Sequence, residues 1–299
     1  EVMPDLFWTY VAPIPDLASR GVLLDITPYI QRDGIDLNQW NETLVSNLQY
    51  EGAQYGMPKD WDALALFYNQ DLVRKAGLDE VPSDLKWNPE DGGTFVEFLQ
   101  KLTVDKNGKH PNEEGFDPNN IAQYGFYAPN MQPHNWISFI SSNGGTVLDE
   151  NKKVVIDSTE TKEALRFYYD LIYKYHVMPA PSEVEAVGDE AMFYSSKLAV
   201  WMTGPWMLKP VNENAPFEWG ITYLPEGPQG RIVRINGLSD SIYAKTKYPE
   251  EAWEVAKFLA GKETQDILGE TGTVFPAWPE SIPKFLEYYK SLGLDATIF

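Results

Sequence analysis

The segment 52–78, GAQYGMPKDWDALALFYNQDLVRKAGL, constrains the fold most, because it predicts a buried strand leading directly into a helix. Residues 55–58 predict a break in the chain, and the polar cluster 59–62 follows it. The unbroken apolar run 63–68 is typical of a strand buried on both faces. Asn69 offers an N-cap, and Gly77 offers a left-handed stop, for the next helix. Binding sites in α/β proteins are often built where such a strand meets polar and aromatic side chains.

Helix signals alternate with short apolar runs along the rest of the chain. A Thr-x-x-Glu capping box at 94–97 predicts one helix start, and an Asp-x-x-Glu pattern at 157–160 predicts another. A third helix is predicted from Pro249 to a stop at Gly261, and a small hairpin across 147–156. This alternation indicates an α/β fold.

Composition and missing motifs exclude several kinds of function. The 24 basic and 44 acidic residues give a net charge of −20, which repels a phosphate backbone, so nucleic acid is not an expected partner. The chain has no cysteine and no phosphate-binding glycine motif, and no cofactor is expected. No stretch approaches the roughly 20 apolar residues of a membrane span. The segment 105–116 begins like a calcium loop but has His110 and Phe116 where an EF-hand needs Gly and Glu.

Seven motifs add a family resemblance to this picture. They are PDLFWTY (4–10), GVLLDITPYI (21–30), NGG (143–145), FYYDLIYKYHVMP (167–179), KLA running to GPW (197–206), WGITYLPEGP (219–228) and NGLSDSIYAKTKYPEEAWEVAKFL (236–259). Together with the segment 52–78 and in this order, they resemble the extracellular solute-binding proteins of bacterial carbohydrate ABC importers. This is family 1, which includes maltose-binding protein. The resemblance covers nearly the whole chain.

The resemblance implies a two-lobed, periplasmic-binding-protein-like α/β fold of type II, with lobes joined by strand crossings. The implied crossings lie near 64–68, 231–237 and 276–279. The implied lobes are 1–66 with 238–277, and 67–237 with 278–299. Because the family continues beyond both ends, we expect this chain to be an internal portion of a longer protein, truncated at both ends.

The function that the resemblance implies is transport rather than catalysis. A sugar or oligosaccharide would be held in the cleft between the lobes by aromatic stacking and hydrogen bonds, and would favour the closed state. The receptor, expected to be a monomer and a lipoprotein, would then deliver its ligand to the permease of an ABC importer. It would act at the extracellular face of the membrane or in the periplasm.

Trp206 is the strongest candidate for a ligand contact. The apolar run 198–202 and the turn at Gly204 and Pro205 predict an indole presented at the end of a strand. Sugars carry a face of C–H groups, and burying it on an aromatic ring is worth roughly 1–2 kcal/mol. Family members have a ligand-stacking tryptophan at this match. The alternative is a core position, where most aromatic side chains lie.

Acidic and aromatic residues near the two early strands are the next candidates. Asp62 matches a ligand-contacting acid of the family, and a carboxylate accepts hydroxyl hydrogen bonds well. In an extended chain Asp60 shares the face of Asp62, while Trp61 takes the other; a solvated loop is the alternative. We expect one of Trp8 and Tyr10 to face the core, and we assign Tyr10 to the site.

The remaining candidates come from three other segments. Gln132 and His134 match a ligand-facing segment of the family, but maltose-binding protein has an acid and an aromatic there, which argues against maltose itself. Asn236 and Ser239 flank Gly237 and are predicted partners of sugar hydroxyls, with a tight structural turn as the alternative. Trp278 is either a second stacking platform or a packing residue.

Two other functions remain open. A glycoside hydrolase needs two carboxyl groups at a set distance, which Asp60 and Asp62 offer in principle. A receptor for a non-sugar solute, such as a polyol phosphate, is left open by Arg231 and Arg234.

Overall fold

The computed structural model describes residues 3–129, 133–151 and 153–299. The ten strands of these residues are β1 Leu6–Tyr10, β2 Gln49–Tyr50, β3 Ala53–Gln54, β4 Met57–Asp62, β5 Ala65–Asn69, β6 Val104–Asp105, β7 Ile121–Tyr127, β8 Leu198–Thr203, β9 Trp219–Thr222 and β10 Asn236–Ile242. The thirteen α-helices are α1 Ile14–Ser19, α2 Thr27–Asp33, α3 Glu42–Asn47, α4 Gln70–Lys75, α5 Gly93–Leu102, α6 Pro133–Ser142, α7 Thr159–Tyr173, α8 Pro181–Val187, α9 Asp189–Tyr194, α10 Leu208–Asn214, α11 Pro249–Ala260, α12 Lys262–Glu270 and α13 Ile282–Ser291. In this part of the chain no helix is long and apolar enough to cross a membrane.

The chain divides into two compact units. The first unit contains residues up to Ala63 and Ile235–Thr297; the second contains Leu64–Arg234 and the last two residues. The predicted crossing near 276–279 is wrong, because the chain stays in the first unit up to Thr297. Residues 278–297 are assigned above to the second lobe, but they belong to the first unit. They pack in the first unit because α13 lies against α12 and buries Phe285 and Tyr289. The lobe boundaries otherwise stay a prediction.

The first unit is built on a three-stranded antiparallel sheet in the order β1-β10-β4. Helices α3 and α11 pack against it. The core between them includes Met57, Ile242 and the fully buried Trp253. Helix α2 adds Ile26 and Ile30 to this cluster. The core therefore fixes one end of the sheet, where β1 begins and β10 ends.

The second unit is built on a five-stranded sheet in the order β6-β7-β8-β5-β9. Strands β7 and β8 run parallel, and the other neighbours are antiparallel. All six residues of β8 are buried, and β5 beside it is nearly as deep. Such continuous apolar runs belong to strands that are covered on both faces.

The segment 52–78 folds largely as its sequence predicts. The predicted strand is β5, and the Asn69 side chain caps α4 by accepting a hydrogen bond of 3.0 Å from the backbone N–H of Leu72. Gly77 follows the helix with φ of +80°, where glycine is favoured. The predicted break at Met57 and Pro58 is wrong, because both residues lie in β4. Strand β4 is at the edge of its sheet, where a proline is tolerated.

Three other predicted helix starts have different outcomes. Helix α5 begins at Gly93, so Thr94 is not its N-cap; its hydroxyl accepts from the backbone N–H of Lys86 instead. Helix α7 is capped by Ser158 rather than by Asp157. Helix α11 begins at Pro249 and gives way to Gly261 as predicted. The described residues of the predicted hairpin across 147–156 form an antiparallel bridge between Leu148 and Val154, and backbone N–H groups of Asp149 and Val155 donate to Lys153 and Val147 on either side of it.

The loop that begins like a calcium site is closed by its own backbone. Both carboxylate oxygens of Asp105 accept hydrogen bonds from backbone N–H groups, those of Asn107, Lys109 and Asp117. These bonds hold the pKa of Asp105 below its usual value although the side chain is buried. The carboxylate therefore stabilises the loop.

Candidate functional site

One face of the first sheet carries most of the polar candidates. Asn236 lies directly opposite Asp62 across β10 and β4, and Leu238 lies opposite Asp60. On the other side of β10, Asp240 lies opposite Trp8. Since paired residues share a face and alternate residues of a strand repeat it, these side chains point to one side. We call Trp8, Tyr10, Asp60, Asp62, Asn236 and Asp240 the polar face.

Asp62 is held in place by one hydrogen bond and has capacity for another. Its side chain accepts a bond of 3.1 Å at Oδ2 from Nδ2 of Asn236. Its Oδ1 atom is buried and has no hydrogen-bond partner among the described residues. Burial raises the pKa of Asp62 to about 7; the bond from Asn236 lowers it, and the charge of Asp60 raises it further. This oxygen lacks a hydrogen-bond donor, and a hydroxyl group of a ligand would be one.

Asp60 is paired with the lysine beside it. Lys59 is the extra residue of a β-bulge in β4, at the register shift opposite Leu238 and Ser239. Its Nζ atom donates to Oδ2 of Asp60 at 2.5 Å and lies 4.4 Å from the ring centroid of Trp8. Burial raises the pKa of Asp60, and the charge of Lys59 opposes this. The bulge thus turns a cation onto the polar face.

Trp8 and Tyr10 both lie on the polar face, which corrects the expectation that one of them faces the core. Residues two apart in a strand share a face, and Thr9 between them is buried. The side chains of Trp8 and Tyr10 are 68% and 57% exposed. The polar face therefore has two exposed aromatic rings, and Tyr10 keeps its predicted place at the end of β1.

Three predicted site residues of the first unit are engaged in packing. Ser239 is fully buried, and its hydroxyl donates to the carbonyl oxygen of Thr9 at 3.3 Å. The Trp61 indole packs against the core and donates from Nε1 to the carbonyl oxygen of Pro276 at 3.1 Å. Trp278 packs edge-on against Trp40 with ring centroids 4.9 Å apart. Their roles as ligand contacts stay predictions.

The second unit contributes Trp206, at the place its sequence predicts. The indole follows β8 in a 3₁₀ turn, Pro205–Met207, and is half-buried. Its ring lies back over Gly204: a Cβ atom added to Gly204 would be 2.0 Å from Cζ3 of Trp206. Gly204 has an extended backbone, with φ of −125°, so the glycine is needed for space rather than for conformation. The turn therefore fixes the orientation of this ring.

Two predicted site residues cannot be placed by their side chains. Gln132 lies outside the described residues. His134 begins α6 after Pro133, and only its helical backbone belongs to the described part.

The structure brings together Tyr10, Asp62 and Asn236 from the predicted set, all within the first unit. Sequence reasoning missed Trp8, Lys59 and Asp240 on the same face. The alternation of β1 contained the signal for Trp8; the bulge that exposes Lys59 had no sequence signal. Among the described residues, no group of three or more His, Asp or Glu is placed to hold a metal ion.

Comparison with known proteins decides the family. The sequence model of one protein family, the bacterial extracellular solute-binding proteins, matches residues 3–266. The chain belongs to this family. A solved structure of UspC from M. tuberculosis is 31% identical, with a TM-score of 0.74, over 99% of this chain and 73% of that one. Maltose-bound MalE3 from T. maritima is 26% identical, with a TM-score of 0.74, over 98% and 73% of the two chains.

Curated relatives point the same way. An arabinooligosaccharide-binding protein from Halalkalibacterium halodurans is 26% identical over 263 residues, which are 81% of this chain and 53% of that protein. The chain thus spans about half the length of the curated relatives it matches. These similarities confirm the predicted family and the predicted α/β fold of the type II periplasmic-binding-protein class.

Proposed function

We propose that this protein is an extracellular receptor that binds a sugar or oligosaccharide and delivers it to the permease of an ABC importer. Family membership supports a solute-binding role outside the cytoplasmic membrane. The relatives named for arabinooligosaccharide binding and the relative solved with maltose support a carbohydrate as the solute. A monomeric, lipid-anchored receptor without enzymatic activity fits this role.

The observation that carries the proposal is the pair of Asp62 and Asn236. A buried carboxylate with an unpartnered oxygen costs free energy unless a donor reaches it. Sugar hydroxyls are such donors, and the Asn236 amide beside it offers a carbonyl oxygen for a second hydroxyl. The exposed rings of Trp8 and Tyr10 on the same face supply apolar surface for the C–H groups of a sugar.

Trp206 supplies a stacking platform in the second unit. The Gly204 turn fixes the ring before any ligand arrives, so little side-chain entropy is lost on binding. Gln132, His134, Trp61, Trp278 and Ser239 are proposed as further contacts or supports of this site. That one ligand contacts groups of both units stays a prediction from the resemblance.

Two alternatives make different demands on the same residues. The raised pKa of Asp62 is a feature that a hydrolase would share. A phosphate receptor would need a cation aimed at its ligand, but Arg231 donates to the carbonyl oxygens of Leu224 and Ser83, both at 2.7 Å, and Lys59 on the polar face is paired with Asp60. We therefore favour a neutral sugar that is bound and released intact.

A melting-temperature panel on the intact protein tests the proposal. A ligand of the folded state alone adds about 2.7 kcal/mol of stability at a hundredfold excess over Kd. We expect a selective shift with one class of mono- or oligosaccharide and recovery of the glycan uncut by chromatography. Shortened products would instead establish a hydrolase. A flat sugar panel with a shift from a phosphorylated solute would replace the carbohydrate by an anion.

A further inference from the structure

Asp240 is the least satisfied acid on the polar face. Its side chain is only 2% exposed, and its Oδ2 atom is fully buried without a donor among the described residues. The side chain of Asp62 has Asn236 and that of Asp60 has Lys59, whereas the side chain of Asp240 has no hydrogen bond with any described residue. A fold seldom leaves a buried carboxylate in this condition, because the lost hydration is not replaced.

Asp240 lies between the core and an exposed aromatic ring: the fully buried Met57 is opposite on β4, and Trp8 is opposite on β1. The exposed ring of Trp8 lies directly opposite on β1, and the Lys59 ammonium packs against that ring at 4.4 Å. This cation is already committed to Asp60 at 2.5 Å. Lys59 is therefore one cation close to two buried carboxylates, those of Asp60 and Asp240.

Two features of a solute follow from this arrangement. A donor group would satisfy the Asp240 carboxylate, and charged hydrogen bonds of this kind are among the stronger ones in proteins. An anionic group would be repelled by each of these carboxylates that is ionised, because Lys59 is already paired with Asp60 and the site is poorly solvated. A structural acid of the core would show neither dependence.

We propose that Asp240 accepts a hydrogen bond from a hydroxyl group of the bound sugar, and that Asp240 with Asp60 makes the site reject solutes that carry a negative charge. This inference rests on the proposed carbohydrate function. It adds a contact residue that the family resemblance does not assign, and it implies that the ligand carries no negative charge. Asp240 thus determines which solutes bind, and it lies on the same strand and face as Asn236, the partner of Asp62.

The test is Asp240→Asn in the intact protein, with Asp16→Asn as control, because Asp16 is an exposed acid of the same unit. The probes are maltose, arabinotriose and maltose 6′-phosphate, titrated calorimetrically. We expect Asp240→Asn to lower the affinity for whichever neutral sugar binds by about tenfold. The ratio of the affinities for the neutral and the phosphorylated probe should become smaller. The unliganded variant should melt no lower than the wild type, since a buried charge has been removed.

The outcomes separate this inference from the function on which it rests. Sugar binding that changes less than twofold in Asp240→Asn overturns the role of Asp240 and leaves the receptor standing. A variant that loses both affinity and thermal stability assigns Asp240 a structural role and also overturns it. If no saccharide of a wider panel binds the wild type, the proposed function falls and this inference falls with it.

Discussion

At the scale of residues, this chain contains buried acids of two kinds, one with hydrogen-bond donors around it and one that lacks them. Asp105 and Asp62 are both buried, yet the pKa of Asp105 is lowered by backbone donors while that of Asp62 is raised. The difference is the number of N–H groups that reach each carboxylate. Donors built into the backbone indicate a structural acid, and missing donors indicate an acid that awaits a ligand.

The Asp62 carboxylate predicts a pH-dependent stability. Its pKa rises from 3.8 in the unfolded chain to about 7 in the fold, so the unfolded state ionises first as pH increases. The protonated Asp62 side chain therefore contributes to the free energy of unfolding at low pH, and this contribution is lost as the pH rises from about 4 to about 7. We expect Asp62→Asn to stabilise the unliganded protein more at pH 8 than at pH 5, by about 2 kcal/mol in urea denaturation. Equal effects at both pH values, as expected for the control Asp16→Asn, would contradict this.

The contact between Gly204 and Trp206 predicts a coupling between two substitutions. Gly204→Ala places a methyl group within the indole, so the ring must move. We expect a loss of roughly 1–3 kcal/mol in stability and weaker sugar binding. In a Trp206→Ala background the same alanine should cost almost nothing. A double-mutant cycle by urea denaturation measures this, and additive costs would show that the ring does not lie on Gly204.

At the scale of elements, the sequence predicted the strands and helices whose ends are determined by residues close to them in the chain. Strand β5, the Asn69 cap and helix α11 followed from apolar runs, a capping side chain and a Pro-Glu-Glu start. Strand β4 was missed because its extended form depends on pairing with β10, 174 residues away at the Asp62–Asn236 bond. The bulge at Lys59, and with it the Lys59–Asp60–Trp8 contacts, arises from the same distant pairing.

The Asn69 cap predicts an effect confined to stability. Its side chain accepts from Leu72 and donates from Nδ2 to Oγ of Ser196 at 3.1 Å, and it is buried. Asn41 caps α3 in the same way but is exposed. We expect Asn69→Ala to cost about 2 kcal/mol and Asn41→Ala about 1 kcal/mol in chemical denaturation, with sugar affinity unchanged in both. Equal costs would show that the bond to Ser196 contributes little.

At the scale of the whole molecule, charge and family membership limit the kind of solute. A net charge of −20 opposes anionic ligands, and Lys59, the cation of the polar face, is already paired with Asp60. The ordered motifs made the family predictable, because each is a short local signal and their order excludes chance. The third crossing was not predictable, because the packing of α13 on α12 depends on Phe285 and Tyr289 meeting a surface distant in sequence.

Calorimetric titration of the best saccharide from the panel into the intact wild type and Trp206→Ala tests the central claim most directly. A receptor that stacks a sugar on this ring should bind one ligand per chain and lose about 1.4 kcal/mol, or tenfold in affinity, with the indole. Unchanged affinity in Trp206→Ala would contradict the account.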